Sequence, residues 1–210
     1  TAILIDGQYR WQTYTNYTQG YAKMRLEKIA TDAWAAGVKA TVYNCPEIRT
    51  NSSDVFTGIE LPLIPLLLAL KKENGGAWVE EQWKACEALL ADGFTMNDVL
   101  QKIKDMQASD VMRPFYDFTA WPMPNSQAQA DLTIGTSNEI TQMHRDNKAM
   151  ISDVLSSLVV EATGQLIFGN SSDPRGPVQW LNHDIVAQQL NATRGYAKPS
   201  AAAPSQTEMA

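Results

Sequence analysis

Histidine and cysteine are scarce in this sequence, two of each in 210 residues, and that scarcity removes several kinds of chemistry. A three-histidine zinc site cannot be assembled from one chain. No CxxC pair, HExxH helix, Walker loop, dinucleotide glycine fingerprint or GxSxG elbow occurs either. Basic charge is also short: 17 Lys and Arg stand against 23 Asp and Glu, a formal charge of −6 with no basic block. Phosphate affinity rests on clustered Lys and Arg, so a nucleic-acid partner is not expected. Long apolar runs are missing as well. The most apolar one, Ile59 to Leu70, is interrupted by Glu60, Pro62 and Pro65, whereas a transmembrane helix needs about twenty apolar residues. The opening Thr1-Ala2-Ile3-Leu4-Ile5-Asp6 has neither the basic region nor the cleavage site of a leader. Synthesis in a cytoplasm is expected, with a periplasmic location open if a leader had been removed.

What is present points to a packed globule. Hydrophobic residues make up 44% and charged residues 19%, a balance that supports a core and argues against disorder. The expected fold is mainly α: a helical bundle over residues 1–195 with an αα-hairpin and a small N-terminal β-hairpin. An extended tail of low apolar content follows over 196–210.

Local signals carry that expectation. Asp6-Gly7 between β-prone segments is a two-residue hairpin signal. Gln19 to Ala36 repeats Ala22, Leu26, Ile29, Ala33 and Ala36 at helical spacing, and Gly37 ends it. Val38 to Tyr43 reads as a short strand. Pro62 or Pro65 suits the first turn of a helix through Leu70, with Lys71 and Lys72 completing its last turn. Val79, Trp83, Cys86 and Leu90 form one stripe over Trp78 to Ala91. After Asp92-Gly93, Thr95 and Asp98 form a capping box, with Phe94 and Val99 at staple positions. Val99, Leu100, Ile103 and Met106 form the facing stripe, so the two helices should make an αα-hairpin. Thr136 with Glu139 then suggests a cap for one long helix through about Gly164, carrying Ile140, Met143, Asn147, Ile151, Val154, Leu158 and Val159. Gly169 to Gly176 reads as a surface turn, and Pro177 as the start of a last helix bearing Val178, Leu181, Ile185 and Leu190.

Residues that could carry chemistry are few. Cys86 falls on an apolar helix face, where a reduced thiol behaves as a small hydrophobe. A bridge to Cys45 would add roughly 3–4 kcal/mol in the chain-entropy model, but buried thiols are the favoured reading. His144 borders the stripe of the long helix, one turn from Lys148, and His183 falls on the polar side of the last one. Both are expected to be solvated or at an interface. Cys86 could serve as a nucleophile only if the fold brought a histidine to it. Glu80 and Glu81 project about 100° apart on one helix and cannot converge on a substrate atom. Glu80 with Lys84 and Glu161 with Gln165 read as solvated (i, i+4) pairs.

Aromatics stand outside the helical stripes. Tyr9 and Trp11 lie in the hairpin, and Phe115, Tyr116, Phe118 and Trp121 in an unpatterned, Pro-containing stretch of more than twenty residues. Interfaces are enriched in such side chains, so these six are the candidate interaction residues. No catalytic, metal-ligating or cofactor-binding residue is indicated, and no cofactor. The sequence alone therefore leads to a non-enzymatic assembly subunit, of a bacteriophage virion or a secretion apparatus, with protein subunits or further copies of itself as partners. A hydrolase-type enzyme without a recognisable motif, or a small-ligand or carbohydrate-binding module, is the alternative.

Overall fold

A computed structural model of the protein describes residues 2–5, 8–11, 18–49, 63–73, 75–113 and 126–195. It shows a mainly α architecture with two small two-stranded sheets among those residues. Strands β1 (Ala2–Ile5) and β2 (Gln8–Trp11) pair antiparallel, with Ile5 opposite Gln8. Helix α1 (Thr18–Ala35) leads through Gly37, at φ +85°, to β3 (Val42–Asn44). Strand β3 pairs in parallel with β4 (Val178–Trp180), Val42 lying opposite Val178.

Helix α2 (Ile64–Lys72) is the centre of the core. Pro65 sits in its first turn, where a missing N–H costs no intrahelical bond. Leu63, Ile64, Leu66, Leu67 and Leu70 are all fully buried. A helix apolar on almost every side must be enclosed by neighbours, and α7 (His183–Leu190), α3 (Ala77–Glu87) and β1 lie against it. Each buried Leu contributes roughly 1.5–3 kcal/mol relative to exposure.

The αα-hairpin is present as α3 and α4 (Met96–Ala108), which touch each other. Helix α3 stops at Glu87, so Leu90 is buried in the connecting turn. Gly93 takes φ +90° there. Thr95 and Asp98 then form both halves of the capping box, satisfying two amides that a helix start leaves unpaired.

Two expected helices are corrected. The stretch over 136–164 is not one helix but α5 (Gln127–Gln142) and α6 (Asp153–Ser171). The cap of α5 is Ser126, paired with Gln129, and Thr136 is internal. Between the helices the backbone bonds sideways. Ala91 donates to the Met143 carbonyl at 2.8 Å, Arg145 donates to that of Leu89 at 3.0 Å, and Leu90 bridges His144. Asp146 accepts the Lys148 amide at 2.9 Å in an Asx turn, and Ser152 caps α6. Pro177 does not open a helix either. Val178–Trp180 is strand, with Leu181 donating to Asn44 at 2.9 Å, and α7 starts only at His183. The tail beyond 195 lies outside the described residues.

Candidate functional site

The buried polar groups that could carry function fall in three places. The first is the contact between α3 and the start of α6. Ser152 is fixed by its capping role, accepting the Leu155 amide at 3.1 Å. From there its hydroxyl donates to Gln82 Oε1 at 3.0 Å and also meets the Cys86 thiol. Gln82 and Cys86 lie one turn apart on α3, so both reach the same hydroxyl. Burial pushes the Cys86 thiol up, and the bonds to Ser152 offset this only in part. A thiol held protonated is a poor nucleophile. No disulfide joins Cys45 and Cys86.

The second place is the clip between the 88–91 and 143–145 turns. His144 is buried there, contrary to the solvated position expected of it, with Nδ1 2.8 Å from the Ile140 carbonyl. It leaves helical geometry because α5 has already ended, so it does not share a helix face with the exposed Lys148. Burial holds the imidazole below its ordinary pKa, although the Ile140 and Met150 backbones favour the proton.

His183, the third, is the larger surprise. It is the first residue of α7, fully buried, and neither ring nitrogen has a hydrogen-bond partner among the described residues. Burial depresses its pKa to about 3. Its supposed polar side disappeared with the helix over 177–190: with α7 starting at His183 after the Asn182 cap position, His183 lies in the core with Val186, Ala187 and Leu190. No hydrogen bond joins Cys86 to either histidine, so the structure forms no thiol–imidazole pair.

The carboxylates stay at the surface. Glu80 pairs with Lys71 of α2 at 3.1 Å rather than with Lys84, and the same ammonium sits 3.8 Å from the Trp83 ring centroid. Glu161 accepts from Gln165 as expected, at 3.1 Å, and also pairs with Arg194. No group of three potential metal ligands occurs among the described residues. Of the six candidate interaction residues, Tyr9 and Trp11 are placed on β2 opposite Leu4 and Ala2. Phe115, Tyr116, Phe118 and Trp121 lie outside the described residues. Ser152 and Gln82 were not singled out from the sequence. The signal for the first was available in Ser152-Asp153, a cap followed by an acidic first turn.

Compared with known proteins, residues 1–190 match the family described as enoyl-acyl carrier protein reductase FabMG. The chain belongs to the FabMG family. Among solved structures it is similar to the apo structure of FabMG, described as a novel type of enoyl-acyl carrier protein reductase, at 63% identity and a TM-score of 0.81. That match covers 94% of this chain and 45% of the FabMG chain. An NADH-bound structure of FabMG matches at 59% identity and a TM-score of 0.70, covering 92% of this chain and 47% of the other. The chain thus spans slightly under half the length of the FabMG structures it matches. No curated protein matches.

Membership of the FabMG family overturns the expectation of a non-enzymatic virion or secretion-apparatus subunit, because that family is one of enzymes. The inference that fails is the step from a missing compact motif to missing chemistry. No described helix is long and apolar enough to cross a membrane.

Proposed function

We propose that this chain takes part in NADH-dependent reduction of the carbon–carbon double bond of enoyl thioesters on acyl carrier protein. The observation that carries the reading is the family match over residues 1–190, joined to 59–63% identity with FabMG structures. NADH, when bound, supplies the hydride that such a reduction needs. The reaction requires no covalent nucleophile, which fits a buried Cys86 kept as a thiol. Burial lowers the pKa of both His144 and His183, which disfavours either as the donor of the proton that completes the saturated product.

Among the described residues, the link from β4 to α7 does not fit a dinucleotide cradle. A doubly wound fold binds pyrophosphate at a glycine-rich turn between a strand and an open helix start. Here the corresponding link, β4 to α7, is Leu181-Asn182, and buried His183 fills the first position of the helix. What these residues supply is a helical body packed around α2. Two cysteines without a disulfide between them agree with work in a reducing compartment, and a cytoplasmic location is part of the proposal.

The test follows loss of NADH absorbance with an enoyl thioester on acyl carrier protein, beside the FabMG enzyme of the apo structure. NADH oxidation matched by saturated acyl product is expected. Activity in that enzyme, with neither NADH nor carrier-protein binding by the present protein, would refute the proposal.

A further inference from the structure

Helix α1 faces the wrong way for its composition. Toward the body of the protein it turns Glu27, whose Oε1 accepts Asn44 Nδ2 at 2.8 Å, and Trp34, whose Nε1 donates to the Ala40 carbonyl at 2.6 Å. Ala30, between them, is buried. Toward solvent it turns most of its apolar stripe: Leu26 is 51% and Ile29 55% exposed, Ala22 and Ala36 are exposed too, and Ala33 is half-buried at the edge. Apolar residues repeated at intervals of four, three, four and three form a coiled-coil seam, with Leu26 and Ala33 at a positions and Ala22 and Ile29 at d positions.

We propose that this seam pairs with the same seam of a second copy, as an antiparallel two-fold helix pair centred between Glu27 and Lys28. The order Ala22, Leu26, Ile29, Ala33 reads the same in both directions by size and spacing. Reversal therefore sets Leu26 against the second copy's Ile29 and Ala22 against its Ala33, large residues at the centre and small ones at the flanks. A two-fold axis makes the patch self-complementary, as an isologous contact requires. The flanking g positions are Arg25 and Asp32, both exposed. In the antiparallel arrangement g faces g, so each Arg25 meets the other copy's Asp32, which also accepts from Lys28 of its own helix at 2.7 Å, giving two opposite-charge pairs per dimer. A parallel pair would leave both charges facing the e positions Ala30 and Gly37, without that gain. The opposite flank is closed, because Ala30 at e is buried in its own subunit. One helix pair buries less than the roughly 1,600 Å² of a standard interface, so the association is weak, with a Kd on the order of tens of micromolar.

Sedimentation equilibrium of the 210-residue chain, from about 1 to about 200 µM, reads the association directly. Mass should rise from 23.2 kDa toward twice that value. The Leu26→Glu, Ile29→Glu double variant should raise Kd at least tenfold while leaving circular-dichroism melts unchanged, because both side chains point into water. Asp32→Arg should weaken pairing, and adding Arg25→Asp to the same chain should restore it, a rescue that a general charge effect would not give. Phe168→Glu, at an exposed residue of α6, should change nothing. A monomer at every concentration overturns the proposal. A dimer indifferent to the α1 variants, or lost with Phe168→Glu, overturns it equally.

Discussion

Lowering the pH should expose the strain of holding His183 neutral. The side chain is fully buried, with no described partner for either ring nitrogen, and its pKa falls from 6.5 to about 3 on folding. Between those values the unfolded chain binds a proton that the folded chain refuses, so stability must fall as pH falls. Above 6.5 neither state carries the proton and the effect vanishes. The slope is about 1.4 kcal/mol per pH unit. The loss is thus roughly 2 kcal/mol at pH 5 and on the order of 4–5 kcal/mol by pH 3, against a typical total of 5–15 kcal/mol. Carboxylates and His144 add their own pH dependence, so the quantity to measure is a difference. Urea unfolding of the parent and of His183→Leu should be compared at pH 7 and pH 5. Leu is close in volume and removes two unsatisfied polar atoms, so the variant should match or exceed the parent at pH 7. At pH 5 its advantage should grow by about 2 kcal/mol. With two histidines in the chain, imidazole NMR signals give an independent reading. An imidazole at position 183 that titrates near 6.5 in the folded protein, or parallel stability profiles for parent and variant, would refute the reasoning.

Other perturbations test the packing. Leu90→Ala and Ile103→Ala empty buried positions and should each cost roughly 2–5 kcal/mol, seen as a lower urea midpoint; unchanged midpoints would remove both from the core. Gly75→Ala would bring a Cβ to 2.1 Å from Val79 Cγ2 and 2.9 Å from both the Leu70 carbonyl and Asn191 Oδ1. Asn191 already ties down the Leu70 and Glu73 carbonyls, so the variant should lose about 1–3 kcal/mol in thermal melts. Thr95→Ala should cost about 1 kcal/mol through loss of the capping box, with Asp98→Ala non-additive to it because both remove the same pair of bonds. A thiol reagent should label Cys86 only after denaturation; rapid labelling of this residue in the native protein would place it outside the core.

Much of the helical body was legible because its signals are local. The capping box of Thr95 and Asp98, the proline in the first turn of α2, the glycine at the end of α1 and the stripes of α3 and α4 each act within about one turn. The failures lie where a distant backbone competed with a local pattern. Residues 136–164 carry apolar spacing that one continuous helix would satisfy. Yet the 143–145 backbone finds hydrogen-bond partners in the 88–91 turn, and Asp146 and Ser152 supply the local breaks. Val178–Trp180 follows a proline that could begin a helix, but β3 offers a parallel edge and the ladder wins. Misplacing that start rotated His183 from the surface to the core. The polar cluster of Gln82, Cys86 and Ser152 joins residues 70 apart in sequence, which no period reveals.

The sequence by itself determined the helical class, the capped αα-hairpin, the N-terminal hairpin and the apolar seam of α1, because these depend on side-chain order within a few residues. Tertiary structure alone decided which apolar faces were used. It enclosed α2 on almost every side, buried two histidines that spacing had left outside, and turned the α1 seam toward water. Those outcomes depend on which backbone groups and surfaces a segment meets in space, and a one-dimensional pattern holds no record of the encounter.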